Sequence, residues 1–94
     1  MTRIFNYKCT KHFLKRMKER RIGEYLISLC LARGIVRKEA LQKLTYQLTI
    51  EQIKEAVESG YIDVTEYIGL YTLTVIVKEN LLITIYARYS DVGL

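Results

Sequence analysis

The chain has no proline, a single histidine and two cysteines among its 94 residues, and each shortage removes a class of protein. Without proline, the strand-forming segments carry no obvious break. Cys9 and Cys30 are too few and too far apart to staple a fold with disulfides; in apolar surroundings they read as reduced, small hydrophobes. Cys9-x-x-His12 with Cys30 as a third ligand falls short of the four ligands that a structural zinc takes, so neither a metal nor a cofactor is expected. No apolar run reaches the roughly 18 residues a membrane span needs, and no signal-type apolar stretch follows Met1-Thr2-Arg3. The expectation is a cytoplasmic protein with no membrane partner. A Gly-rich phosphate loop, a Ser-His-Asp arrangement and a paired-carboxylate signature are all missing, which disfavours nucleotide hydrolysis, acyl transfer and glycoside hydrolysis.

What remains is a hydrophobic fraction of 50% with 11% aromatics, enough for one folded domain over 1–94 with a modest core. The formal charge of +5 hides a sharper division. Residues 1–44 hold 12 of the 15 Lys and Arg against 3 of the 10 acids, a net +9. Residues 45–94 hold 3 against 7, a net −4. A basic half is the electrostatic footprint of a nucleic-acid partner, because neutralising phosphates releases counterions. An acidic protein, or the acidic half of a second copy in a homodimer, would answer the same field.

The cations concentrate around the histidine, in Lys11-His12-Phe13-Leu14-Lys15-Arg16-Met17-Lys18-Glu19-Arg20-Arg21. On a helix with His12 at 0°, Arg16 falls near 40° and Arg20 near 80°, whereas Phe13, Leu14 and Met17 occupy roughly 100° to 200°. One face packs and the other presents an imidazole and two guanidiniums. Histidine exchanges a proton near neutrality, and the arginine fork holds two phosphate oxygens at once. Lys11, Lys15, Arg16, Arg20 and Arg21 are therefore the candidate nucleic-acid contacts. The plain alternative is a wet basic surface with an incidental histidine.

Along the chain, Arg3–Lys8 reads as a short strand, and Thr10 caps a helix over about Lys11–Arg21. Gly23 breaks the run. Glu24–Arg33 forms a second helix, apolar almost all round and so buried, with Gly34 as a left-handed exit. Ile35-Val36 can start a strand. For Lys38–Leu48 the helical step of Ala40, Leu41 and Leu44 is weighed against the strand-like alternation of Leu44, Tyr46 and Leu48, and a helix is preferred. Thr49-Ile50-Glu51-Gln52 is a capping box that opens a helix ending at Gly60. Tyr61–Ile68, Leu70–Lys78 and Leu81–Arg88 read as strands, the last two joined at Glu79-Asn80. Pleating assigns Leu73, Val75 and Val77 to the core face with Leu81, Ile83, Ile85 and Ala87. Thr72, Thr74, Thr84, Tyr86 and Arg88 fall on the half-polar opposite face. The fold class is α+β: an N-terminal strand, two to four helices, then a C-terminal antiparallel meander of about three strands, with helices packed on one sheet face. Leu26, Leu29, Ile53, Val57, Leu73, Val75, Ile83 and Ile85 form the expected core.

The His12-x-x-x-Arg16-Met17-x-x-Arg20 helix, with the closing Leu73-Thr74-Val75-Ile76-Val77 and Ile83-Thr84-Ile85-Tyr86, resembles a small uncharacterised bacterial and phage family placed near the RelE-type toxins. The likeness covers the two ends of the chain, about half its length. It implies an α+β domain of the toxin-ribonuclease kind, binding RNA in preference to DNA. If catalytic, it would be a metal-independent endoribonuclease with His12 as the acid or base, Arg16 and Arg20 as phosphate clamps, and Tyr86 and Arg88 contributed by the last strand. A non-enzymatic phage, plasmid or viral interaction module, binding an acidic partner or itself, is the alternative.

Overall fold

The computed structural model describes residues 3–40, 42–60 and 69–89. Its elements run β1 (Arg3–Ile4), β2 (Tyr7–Cys9), α1 (Lys11–Glu19), α2 (Glu24–Arg33), β3 (Ile35–Ala40), β4 (Lys43–Leu48), α3 (Ile50–Glu58), β5 (Leu70–Lys78) and β6 (Leu81–Tyr89). The strands form one sheet in the order β1-β2-β6-β5-β4-β3, antiparallel except where β2 joins β6. The expected α+β class holds, with the C-terminal strands in an antiparallel meander against helices. The expected strand at Tyr61–Ile68 lies outside the described residues.

The caps explain where the helices begin. The Thr10 hydroxyl accepts from the Phe13 amide at 3.1 Å and donates toward the carbonyls of Leu82 and Ile83, so one residue starts α1 and ties it to β6. The capping box of α3 closes in both directions, Gln52 N to Thr49 Oγ1 and Thr49 N to Gln52 Oε1. Its Gln52 side-chain amide also donates to the Arg33 carbonyl at the end of α2.

The ends of the first two helices differ from expectation. The left-handed residue that stops α1 is Arg21, at φ +54°, not Gly23. Arg21 N bonds to the Lys18 carbonyl and Ile22 N to that of Met17, a Schellman closure whose strain is offset by burying Ile22. Gly34 is extended rather than left-handed, at φ −65°. Its glycine is required by space: a Cβ there would run into the carbonyl oxygens of Cys30 and Gln47.

The helix expected at Lys38–Leu48 is a β-hairpin. The alternation of Leu44, Tyr46 and Leu48 wins because β4 sits between β3 and β5, with Leu44, Tyr46 and Leu48 opposite Val77, Val75 and Leu73. The single strand expected at Arg3–Lys8 is likewise a hairpin, turning at Phe5-Asn6.

Leu26, Ile27, Cys30 and Leu31 of α2 and Ile53 and Ala56 of α3 pack with Leu48, Leu73, Val75, Val77, Leu82 and Ile85. Leu29 and Val57 lie at the rim of this core. Ile83 is outside it, because the β5–β6 register slips between Ile76 and Val77 and puts Leu82 inward instead. The slip also moves Leu81 to the surface. Among the described residues no helix is long and apolar enough to cross a membrane.

Candidate functional site

β2 reaches only Leu81 and Leu82 of its neighbour β6. Beyond that point α1 takes over and lies along β6, from the Thr10 contact with Leu82 to a Tyr89 hydroxyl donated to the Arg20 carbonyl. Phe13 is the anchor, fully buried in the core. His12, one step round the helix, then falls on the other side of the sheet, where its Nε2 lies 3.3 Å from Thr84 Oγ1. Thr84 is buried beneath it.

The strand registers carry this position across the sheet. Thr84 stands opposite Ile76, Ile76 opposite Thr45, and Thr45 opposite Arg37. The next row reads Tyr86, Thr74, Gln47, Ile35, and a third pairs Arg88 with Thr72. Neighbouring strands are about 4.8 Å apart and alternate residues along a strand about 6.8 Å. The result is a surface several strands wide with His12 and Arg37 at the ends of one row, Tyr86 and Arg88 farther along β6, and threonine hydroxyls and a glutamine between. No carboxylate stands in these rows. Gln47, Thr72, Thr74, Tyr86, Ala87 and Arg88 enclose a shallow depression, and the Tyr86 ring above it is half exposed.

The residues expected to act together divide into four groups. His12, Tyr86 and Arg88 share this face. Arg16 and Arg20 continue the His12 side of α1 by one and two turns; Arg16 also reaches Glu19 at 4.0 Å, an exposed pair worth little, so its guanidinium can exchange partners. Arg20 caps α1, with its Nε buried and unpaired among the described residues. Lys11 and Lys15 are exposed on the outer side of the helix. Arg21 is turned away, lining an apolar groove with Leu14, Met17, Lys18, Ile22 and Gly23. Thr84, Thr45, Gln47 and Arg37 join the site without having been assigned to it from the sequence. Strand alternation marks the first, but the other three lie in the segment read as the start of a strand and a helix.

Both cysteines are buried. The Cys30 Sγ donates to the carbonyls of Tyr46 and Leu73, and burial pushes its thiol up to about 12. Burial also raises the Cys9 thiol. Such thiols are poor metal ligands and nucleophiles, and among the described residues no three His, Cys, Asp or Glu side chains come together in a way that could hold a metal ion. Comparison of the chain with protein families, with curated proteins and with solved structures finds no match.

Proposed function

We propose that the protein binds single-stranded RNA across the sheet face that carries Thr84, Tyr86 and Arg88, as a small protein of RelE-like type, with α1 as a basic flank. The observation that carries this reading is the 3.3 Å contact between His12 and Thr84, because it puts the basic helix and the Thr84-Tyr86-Arg88 side of β6 on one surface. An accessible aromatic ring suits base stacking, cations at the margins suit the backbone, and threonine hydroxyls both donate and accept, as contact with a 2′-hydroxyl requires. A duplex is less well served, since among the described residues no helix or ribbon protrudes from this face to enter a groove.

Fluorescence anisotropy with labelled single strands of one sequence, as RNA and as DNA, tests the reading. RNA binds more tightly, and Tyr86→Ala loses about 1–3 kcal/mol of affinity, the worth of one stacked base. Absence of binding at low salt removes the proposal and leaves an acidic protein as the partner for the basic half.

Cleavage is a second reading, favoured by the same contact: His12 meets Thr84 on the face that carries Tyr86 and Arg88 farther along β6, and in such chemistry an imidazole takes the 2′-hydroxyl proton while guanidiniums stabilise the phosphorane. With an end-labelled RNA, loss of about 100- to 10,000-fold in rate on His12→Ala at unchanged affinity marks proton transfer. Intact RNA in every lane, wild type included, ends this second reading and leaves binding in place.

A further inference from the structure

At the opposite side of the sheet, beside the hairpin turns, Phe5, Asn6, Tyr7, Leu31, Tyr46, Glu79 and Asn80 enclose a cleft of about 500 Å³. Three of these seven side chains are aromatic. The hydroxyls of Tyr7 and Tyr46 meet at 3.3 Å, which fixes the two rings relative to each other, and the Phe5 ring is 53% exposed. In a chain of net charge +5, the lining among the described residues holds one carboxylate, Glu79, and neither lysine nor arginine.

The backbone adds an independent observation. Phe5 has φ +54° and Glu79 φ +56°, the left-handed region that hairpin turns normally fill with Gly or Asn. An asparagine follows each of them, yet the strained position is held by the ring in one turn and by the carboxylate in the other. Arg21 and Gln42 hold the same region elsewhere; in these two turns it sets the Phe5 ring and the Glu79 carboxylate at the cleft.

We propose that this cleft binds an alkylated ammonium group, with the Phe5, Tyr7 and Tyr46 rings packed around the cation and Glu79 completing its charge balance. The electron-rich faces of aromatic rings attract a cation that is too weakly hydrated to prefer water, whereas an anion would meet the carboxylate and the ring faces. The hydrogen bond with Tyr7 and partial burial push the Tyr46 phenol up to about 12, so the Tyr46 ring stays neutral at physiological pH. The site lies on the sheet face opposite the proposed RNA surface, and neither depends on the other.

Isothermal titration calorimetry of the full chain with choline, and separately with 3,3-dimethylbutan-1-ol, tests the idea, because the alcohol keeps the shape and replaces nitrogen by carbon. Choline or the free amino acid Nε-trimethyl-lysine binds saturably and the neutral isostere does not. Tighter binding of choline identifies a small-molecule headgroup, and tighter binding of trimethyl-lysine a methylated protein side chain. Phe5→Ala, which removes an exposed ring and leaves the core intact, weakens binding about fivefold or more. Tyr46→Phe keeps the ring and retains binding, and Tyr25→Ala, an exposed tyrosine elsewhere, changes nothing. Equal binding of the neutral isostere, featureless titrations with both ammonium probes, or an unaffected Phe5→Ala variant would each overturn the proposal.

Discussion

α1 and α3 are both nine residues long, both begin at a threonine cap and both bury one face, yet their charges oppose each other. α1 carries Lys11, Lys15, Arg16 and Lys18 against Glu19, a net +3, and α3 carries Glu51, Glu55 and Glu58 against Lys54, a net −2. Helix electrostatics alone do not account for either pattern. Lys11 sits at the positive end of α1, and Glu58 at the negative end of α3, where each is unfavourable by a few tenths of a kcal/mol. What differs is the surroundings. α1 lies along β6 beside the face that carries Thr84, Tyr86 and Arg88, while α3 packs on β5 within the helical layer. The molecule therefore offers phosphate an attractive approach along α1 and a repulsive one over α3, and the comparison can be broken at the anchors, at the charges or at the helix ends.

The largest effect is expected at the anchors. Phe13 is wholly buried and holds α1 to the core, whereas Ile53 of α3 is a smaller side chain at the edge of full burial. Phe13→Ala costs about 3–5 kcal/mol and Ile53→Val about 1 kcal/mol, read from urea unfolding midpoints. Equal destabilisation by the two would mean that α1 is held to β6 by Thr10 and Tyr89 rather than by its buried ring.

These helices were legible from the sequence because caps are local: Thr10, and Thr49 with Gln52, announce them without reference to the rest of the chain. The β3–β4 hairpin was not. β3 is an edge strand exposed along its length, including Ile35 and Val36, so no buried face imposes alternation on Arg37-Lys38-Glu39, and β4 alone carried the signal. The phase of β6 was hidden for another reason: Leu81, Leu82 and Ile83 are all aliphatic, and a register slip among three such residues leaves no mark in the pattern. For the candidate site, strand parity put Tyr86 and Arg88 on one face and the family resemblance joined His12 to them, but Arg37 and Gln47 required the hairpin.

Charge is the next lever. Arg16→Ala with Arg20→Ala lowers the slope of log affinity for RNA against log salt by about two units, one for each phosphate no longer neutralised. Glu51→Gln with Glu55→Gln on α3 leaves that slope unchanged, since those carboxylates touch no phosphate in the proposed mode. A filter-binding series over a range of salt distinguishes the two pairs. If both alter the slope equally, the overall field of the chain governs binding and the α1 flank is not a specific contact.

A smaller effect follows from the buried cysteine of α2. The Cys30 thiol is raised from 9.0 to about 12 by burial, so between these values the folded state holds a proton that the unfolded chain has released. Stability is then fully present below pH 9 and falls as pH rises toward 12. Cys30→Ala removes this contribution, and its unfolding midpoint, though lower at neutral pH because the core packs less well, declines less steeply in alkali. Parallel slopes for the two proteins would assign the alkaline loss to Tyr46 instead, whose phenol is also raised to about 12.

The smallest effect is expected at Arg21, where sequence and structure differ most over the proposed interface. The helical run of cations includes it, but its left-handed backbone turns it into the groove of Leu14, Met17 and Ile22. Arg21→Gly relieves about 1–2 kcal/mol of left-handed strain, and the added freedom of the unfolded chain takes back about 0.5–1 kcal/mol. About 0.5–1 kcal/mol of the relief survives, so the unfolding midpoint rises slightly. Affinity for RNA falls only by the general loss of one positive charge, and the salt slope stays that of the wild type, in contrast to the paired change at Arg16 and Arg20. A slope lowered by a full unit would show that Arg21 contacts a phosphate in the complex, and that the nucleic acid wraps past the end of α1 rather than stopping at β6.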